Sequence, residues 1–248
     1  MTSPPLGSLL RFAGTEAQMV ASLFPEAATS LVEHAATKAA VWKELERASR
    51  SHWACHGFFD PSDPLSSGLV LGDGVLSVRE ILATDLMRRC ELMVLSACQT
   101  GMSDFQKLPD EAIGLPAALL QAGVQAVVAT LWPVDDLATS LLMIRFYESA
   151  RSHDAQRVSA LRALAAAQCW VRDASAKELI EYLEERSVIP ASFVQAVRKR
   201  IDGHRESETP FSNPYYWAPF ISVGVPPGPR SAGKTASSPP RALKVLGQ

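Results

Sequence analysis

ELMVLSACQTG, residues Glu91–Gly101, joins a short apolar run to a small, polar turn. Leu92, Met93, Val94 and Leu95 have the length and composition of a central strand in a parallel sheet, which is covered on both faces and so needs no polar alternation. Ser96, Ala97, Cys98, Gln99, Thr100 and Gly101 end that strand and set Cys98 at its carboxyl edge. Open α/β sheets bind and react at that edge. A cysteine there becomes a nucleophile only as the thiolate, so a base within reach is the next thing to look for.

Upstream, Ser51–Gly57 (SHWACHG) repeats the design: a short strand that ends in His56 and Gly57. If the two strands are parallel neighbours, their carboxyl ends share one edge, and the separation of 42 positions from His56 to Cys98 leaves room for a crossover. Taken alone, such residues are more often a satisfied core histidine and a small buried hydrophobe. Cys55 precedes His56 directly and is expected to point away from it, as Cys55 and Cys90 both suit inert core positions. His52 lies four residues before His56 and shares its face, with a structural role expected.

The chain as a whole narrows the classes. Its 248 residues, 47% of them hydrophobic, suffice for one full α/β core. A net charge of −2 gives no basic footprint, so neither nucleic acid nor an anionic membrane surface is an expected partner. The four cysteines form no CxxC pair and fit a reducing, cytoplasmic setting. His52, Cys55 and His56 lack a second pair of clustered ligands, so no metal site is expected, and no cofactor is implied. The longest apolar stretch, Ala112–Trp132, is broken by Gly114, Pro116, Gln121, Gly123 and Gln125 and reads as helix, turn and strand rather than a membrane span.

Periodicity supplies the remaining elements. Helices are expected over Thr15–Phe24, Thr37–Ser49, Leu137–Ala150, Gln156–Val171, Ala176–Arg186 and Ala191–Ile201, and a short strand over Ala28–His34. Gly68–Leu76 carries an Asp73-Gly74 hairpin signal, and Ser77 with Glu80 forms a capping box for a helix over Val78–Leu82. Asp110 and Glu111 should open a helix running to Gln121, followed by a β-branched strand over Val124–Leu131. That strand delivers Trp132-Pro133-Val134-Asp135-Asp136 to the catalytic edge. Tyr215–Val223 reads as a last strand, at a sheet edge because of Pro219. Residues 1–13 are expected to be flexible, 14–224 to form the domain, about 172–205 to be a peripheral helical insertion, and 225–248 to be a disordered tail.

HWACHG, SGLVLGDGVLSVREI, LMVLSACQTG, DEAIGLPAALLQAGVQAVVATLWPVDD and PYYWAPFISVG, in that order, closely resemble the CHAT family of caspase-related cysteine peptidases. The likeness spans about Gly14 to Gly224. It implies a caspase-like α/β fold, a mostly parallel sheet with helices on both faces, and a catalytic dyad of His56 and Cys98. The backbone N–H groups of Gly57 and Cys98 would then form the oxyanion hole. A CHAT domain usually carries further elements before the point matching Gly14, so a shortened domain or one with a mis-called start is expected, and either would leave a sheet edge uncovered.

The resemblance implies a cysteine endopeptidase acting on a protein or peptide, with a regulatory partner or a repeat protein beside it; no 34-residue repeat occurs in the chain itself. LWPVDD is also similar to a separase block whose acidic residue receives a basic side chain. This marks Asp136, or Asp135 with the turn offset by one, as a specificity pocket; the same residues equally suit helix caps. The alternatives are an inactive caspase-like binding or adaptor module and a different thiol hydrolase on a doubly wound sheet.

Overall fold

The structure, a computed structural model, describes residues 10–58, 60, 62–96, 114–151, 160–225 and 242–246. In chain order the elements are α1 (Ala13–Ser22), β1 (Ala28–Leu31), α2 (Lys38–Leu45), β2 (Arg50–Ala54), β3 (Gly57–Phe58), β4 (Gly68–Leu71), β5 (Gly74–Ser77), α3 (Val78–Leu82) and β6 (Leu92–Leu95). Then follow α4 (Leu115–Gln121), β7 (Ala126–Thr130), α5 (Asp136–Arg151), α6 (Ala160–Asp173), α7 (Ala176–Glu184), α8 (Ala191–Arg200), α9 (Pro214–Trp217), β8 (Phe220–Gly224) and β9 (Ala242–Leu246).

The main sheet has the order β1-β9-β2-β6-β7-β8. Its first five strands run parallel and β8 returns antiparallel against β7. The apolar runs alternate between two cores, as strand geometry requires. Leu92, Val94, Ala126 and Val128 face a layer built from α1 and α5 to α8, whereas Met93, Leu95, Val127 and Ala129 face a layer built from α2, α3 and α4. Helices thus cover both faces of a mostly parallel sheet, the expected fold class. Trp53 belongs to the second core, together with Cys55 and Cys90.

A second sheet, β3-β4-β5, is antiparallel. Its β4–β5 turn is the expected Gly72-Asp73-Gly74 hairpin, and the Asp73 carboxylate accepts the backbone N–H of Lys38 at 2.9 Å, tying the turn to the start of α2. The capping box is present as well: Ser77 Oγ accepts the Glu80 N–H while Glu80 accepts the Ser77 N–H at 2.8 Å. Gly68 is required here, because a Cβ at that position would lie 2.0 Å from the Leu76 carbonyl oxygen.

Several expectations change. The final strand starts later: Pro214 and the Asn213 side chain, which accepts the Tyr215 N–H at 2.9 Å, turn residues 214–217 into α9, and only Phe220–Gly224 is extended. The expected disordered tail contains a strand, since Ala242–Leu246 lies between β1 and β2 and pairs with both. Order also begins before residue 14, with Phe12 packed edge-on against Phe193 at 5.4 Å.

The segment 172–205 is joined to the first core rather than peripheral to it: Leu179, Leu183, Phe193 and Val197 are buried there. Glu148 of α5 accepts from Tyr182 Oη at 2.8 Å and from Arg186 Nε at 2.8 Å. The expected helix opening at Asp110 and Glu111 lies outside the described residues. Among the described residues, no helix is long and apolar enough to cross a membrane.

Candidate active site

β2 and β6 are adjacent and parallel, with Trp53 opposite Leu95, and the Ser96 N–H donates to the Trp53 carbonyl at 2.8 Å. The register sets the chemistry-bearing positions level in sequence, since His56 stands three residues beyond Trp53 and Cys98 three beyond Leu95. Cys98 itself lies outside the described residues. β7 pairs with β6 on the far side, so β2, β6 and β7 all deliver their carboxyl ends to one edge.

The small sheet fixes the histidine segment. The His56 carbonyl accepts the Val70 N–H at 2.8 Å, and Gly57 pairs with Leu69. His56 is thereby held between β2 and β3, half-buried, and burial pulls its pKa below the ordinary histidine value. A neutral imidazole at pH 7 is the form that accepts a proton. Gly57 is half-buried beside it.

Asp135 and Asp136 follow β7 on the same edge, and the fold already occupies both. Asp135 Oδ1 accepts the Ala138 N–H at 3.0 Å, an N-terminal cap of α5, while Oδ2 pairs with Arg200 at 2.7 Å. Asp136 Oδ2 accepts the Phe12 N–H at 2.8 Å and so anchors the approach to α1. Burial pushes the Asp136 carboxyl up to about 6, against that hydrogen bond and with the charge of Glu16 adding to the rise. For the expected basic-selective pocket this leaves Asp135 neutralised by Arg200 and Asp136 engaged by the N-terminal segment.

Beneath this edge lies a polar cluster with little sequence signal. His52 Nε2 is 2.9 Å from Glu16 Oε1, and the Ser140 hydroxyl is 3.1 Å from Glu16 Oε2 and 3.0 Å from the Asp136 carbonyl. The cluster ties α1 and α5 to β2. The His52 ring stands edge-on to Tyr147 at 5.4 Å, and its Nδ1 has no partner among the described residues. His52 lies within β2 and is buried, four residues before His56, which puts the cluster inside the core rather than at the sheet edge. Among the described residues, no group of three or more His, Cys, Asp or Glu side chains is arranged to hold a metal ion.

A mostly parallel sheet with helices on both faces, with β2 and β6 ending side by side on one edge, is the architecture of a caspase-like α/β domain. The CHAT domain family model matches residues 7–225, and the chain belongs to the CHAT domain family. No curated protein matches it.

Proposed function

We propose that this CHAT domain is a cysteine endopeptidase that cleaves a protein or peptide substrate with a His56–Cys98 dyad, in the cytoplasm and without a cofactor. The observation that supports the reading is the β2–β6 register, in which Trp53 stands opposite Leu95, with His56 three residues beyond the one and Cys98 three residues beyond the other in sequence. The depressed pKa of His56 supports it, because the ring is then available as a base at neutral pH.

In this mechanism His56 takes the Cys98 proton, and the thiolate attacks the scissile carbonyl carbon. The negative oxygen that develops is held by the backbone N–H groups of Gly57 and Cys98. Collapse of the tetrahedral adduct breaks the C–N bond, and the imidazolium returns its proton to the leaving amine. Water, deprotonated by His56, then hydrolyses the thioester and regenerates the thiol. The small β3-β4-β5 sheet contributes by holding the His56–Gly57 backbone against β4.

A library of fluorogenic peptides assayed with wild type, Cys98→Ala and His56→Ala tests the reading. Turnover by wild type that both substitutions abolish, with folding cooperativity kept, is the expected result. Wild type that folds but cleaves nothing would favour the inactive binding module, and turnover kept in Cys98→Ala would remove the assigned nucleophile.

A further inference from the structure

Among the described residues β9 is the last strand in sequence, yet it is an interior strand of the sheet, one in from the edge. Ala242–Leu246 pairs with β2 from Arg50↔Ala242 to Ala54↔Leu246 and with β1 from Ala28↔Ala242 to Leu31↔Val245, so its backbone is engaged on both edges. It lies against α1 and α2, which belong to opposite layers. Yet it lies beyond the family-matched residues 7–225. Without it, β1 and β2 would face each other across two strand spacings, each with a free row of N–H and C=O groups.

The connection is long but geometrically easy. β8 runs antiparallel, with Gly224 opposite Ala126, the first residue of β7, so the chain leaves β8 at the amino edge of the parallel strands. β9 begins at that same edge, where Ala242 is opposite the first residues of β1 and β2. No crossover is needed, only a sideways path of four strand spacings, about 19 Å. The 17 residues from 225 to 241 could reach about 56 Å if extended, so the link allows the strand to sit in the slot without forcing it there.

We propose that the space between β1 and β2 is a strand-binding site for an extended segment running parallel to both, and that its occupant is this chain's own Ala242–Leu246, bound as a separable ligand. Recognition is by main-chain hydrogen bonds to two neighbours at once, strand addition on both edges of the added segment. The consequence falls on β2: with the strand bound it is an interior strand, and with the strand gone it borders an open slot. The inference is independent of the peptidase reading, since it concerns assembly of the sheet.

The test uses the full chain with a protease site placed within residues 230–236 and cut after purification. The freed C-terminal piece should co-elute with the body, and a labelled synthetic peptide of residues 241–248 should exchange into its place. The same peptide carrying Lys244→Pro, which removes one ladder N–H and cannot fit between two strands, should bind about tenfold more weakly or worse. In the uncut chain, Leu243→Pro and Lys244→Pro should lower the melting temperature and speed amide exchange in β1 and β2. The inference is overturned if the piece elutes free and the body melts unchanged, if both peptides bind alike, or if the uncut proline variants behave as wild type. A dimer whose cut pieces pass between copies would overturn the assignment of the occupant to the same chain.

Discussion

His52 Nε2 lies 2.9 Å from Glu16 Oε1 with both side chains only 1% exposed, a pairing between β2 and α1 across 36 residues of sequence. Such a pair is stable only while both members are present, because removing one leaves the other desolvated and unpaired.

We therefore expect Glu16→Ala and His52→Ala each to destabilise the fold by about 2–4 kcal/mol. The double substitution should cost less than the sum, as coupled neighbours do. Chemical denaturation of the four proteins checks this. Strict additivity would show that the two side chains contribute separately.

Asp136 gives a pH dependence of defined sign. Its folded pKa, about 6, lies above the ordinary aspartate value of 3.8, so between those pH values the folded state holds a proton that the unfolded state has lost. Stability from this group is full at low pH and declines as pH rises toward 6. Asp136→Asn should remove that decline, and the difference from wild type should grow from near zero at about pH 4 to about 1–2 kcal/mol above pH 6.5, allowing for partial solvent access. Melting curves of both proteins from pH 4 to pH 8 are the check; parallel profiles would contradict it.

His56 titrates in the direction a base requires. Because burial lowers its pKa, the acid limb of kcat/KM for peptide cleavage should fall below the usual histidine value of 6.5, and His56→Ala should lose about 10²–10⁴-fold in rate. A limb clearly above 6.5 would mean that the group in control is not a half-buried neutral imidazole.

The small sheet is expected to be sensitive at Gly68, where a Cβ would meet the Leu76 carbonyl at 2.0 Å. Gly68→Ala should cost about 2–3 kcal/mol and depress cleavage more than the stability loss alone, since β4 also holds the His56 carbonyl through Val70. Unchanged melting and turnover would show that the hairpin does not position His56.

Much of this was legible in the sequence, for reasons tied to range. Leu92–Leu95 and Ala126–Ala129 are uninterrupted apolar runs, so burial on both faces is written in their composition. Ser77 with Glu80, and Asp73-Gly74, act within four residues and are equally plain. Glu16 was not legible, because nothing on α1 distinguishes a buried acid whose partners are His52 and Ser140. The partners of Asp136 and Asp135 are similarly remote, at Phe12 and Arg200. β9 was hidden by its setting, five residues inside a tail whose Pro, Ser and basic content reads as unstructured. α9 was missed because Tyr215, Tyr216 and Trp217 suit a strand, while Asn213 and Pro214 decide the conformation.

Cysteine selectivity tests the proposed dyad most directly. Cys55 and Cys90 are buried, and burial pushes the Cys90 thiol up to about 11, whereas Cys169 is exposed on α6. Wild type, Cys98→Ala and His56→Ala should be treated at pH 7 with a peptide bearing a thiol-reactive group, and the modified residue identified by mass spectrometry. The account predicts one label per chain on Cys98, absent from Cys98→Ala and slowed about 10²-fold or more in His56→Ala. Labelling confined to Cys169, or labelling of Cys98 at the wild-type rate in His56→Ala, would contradict it.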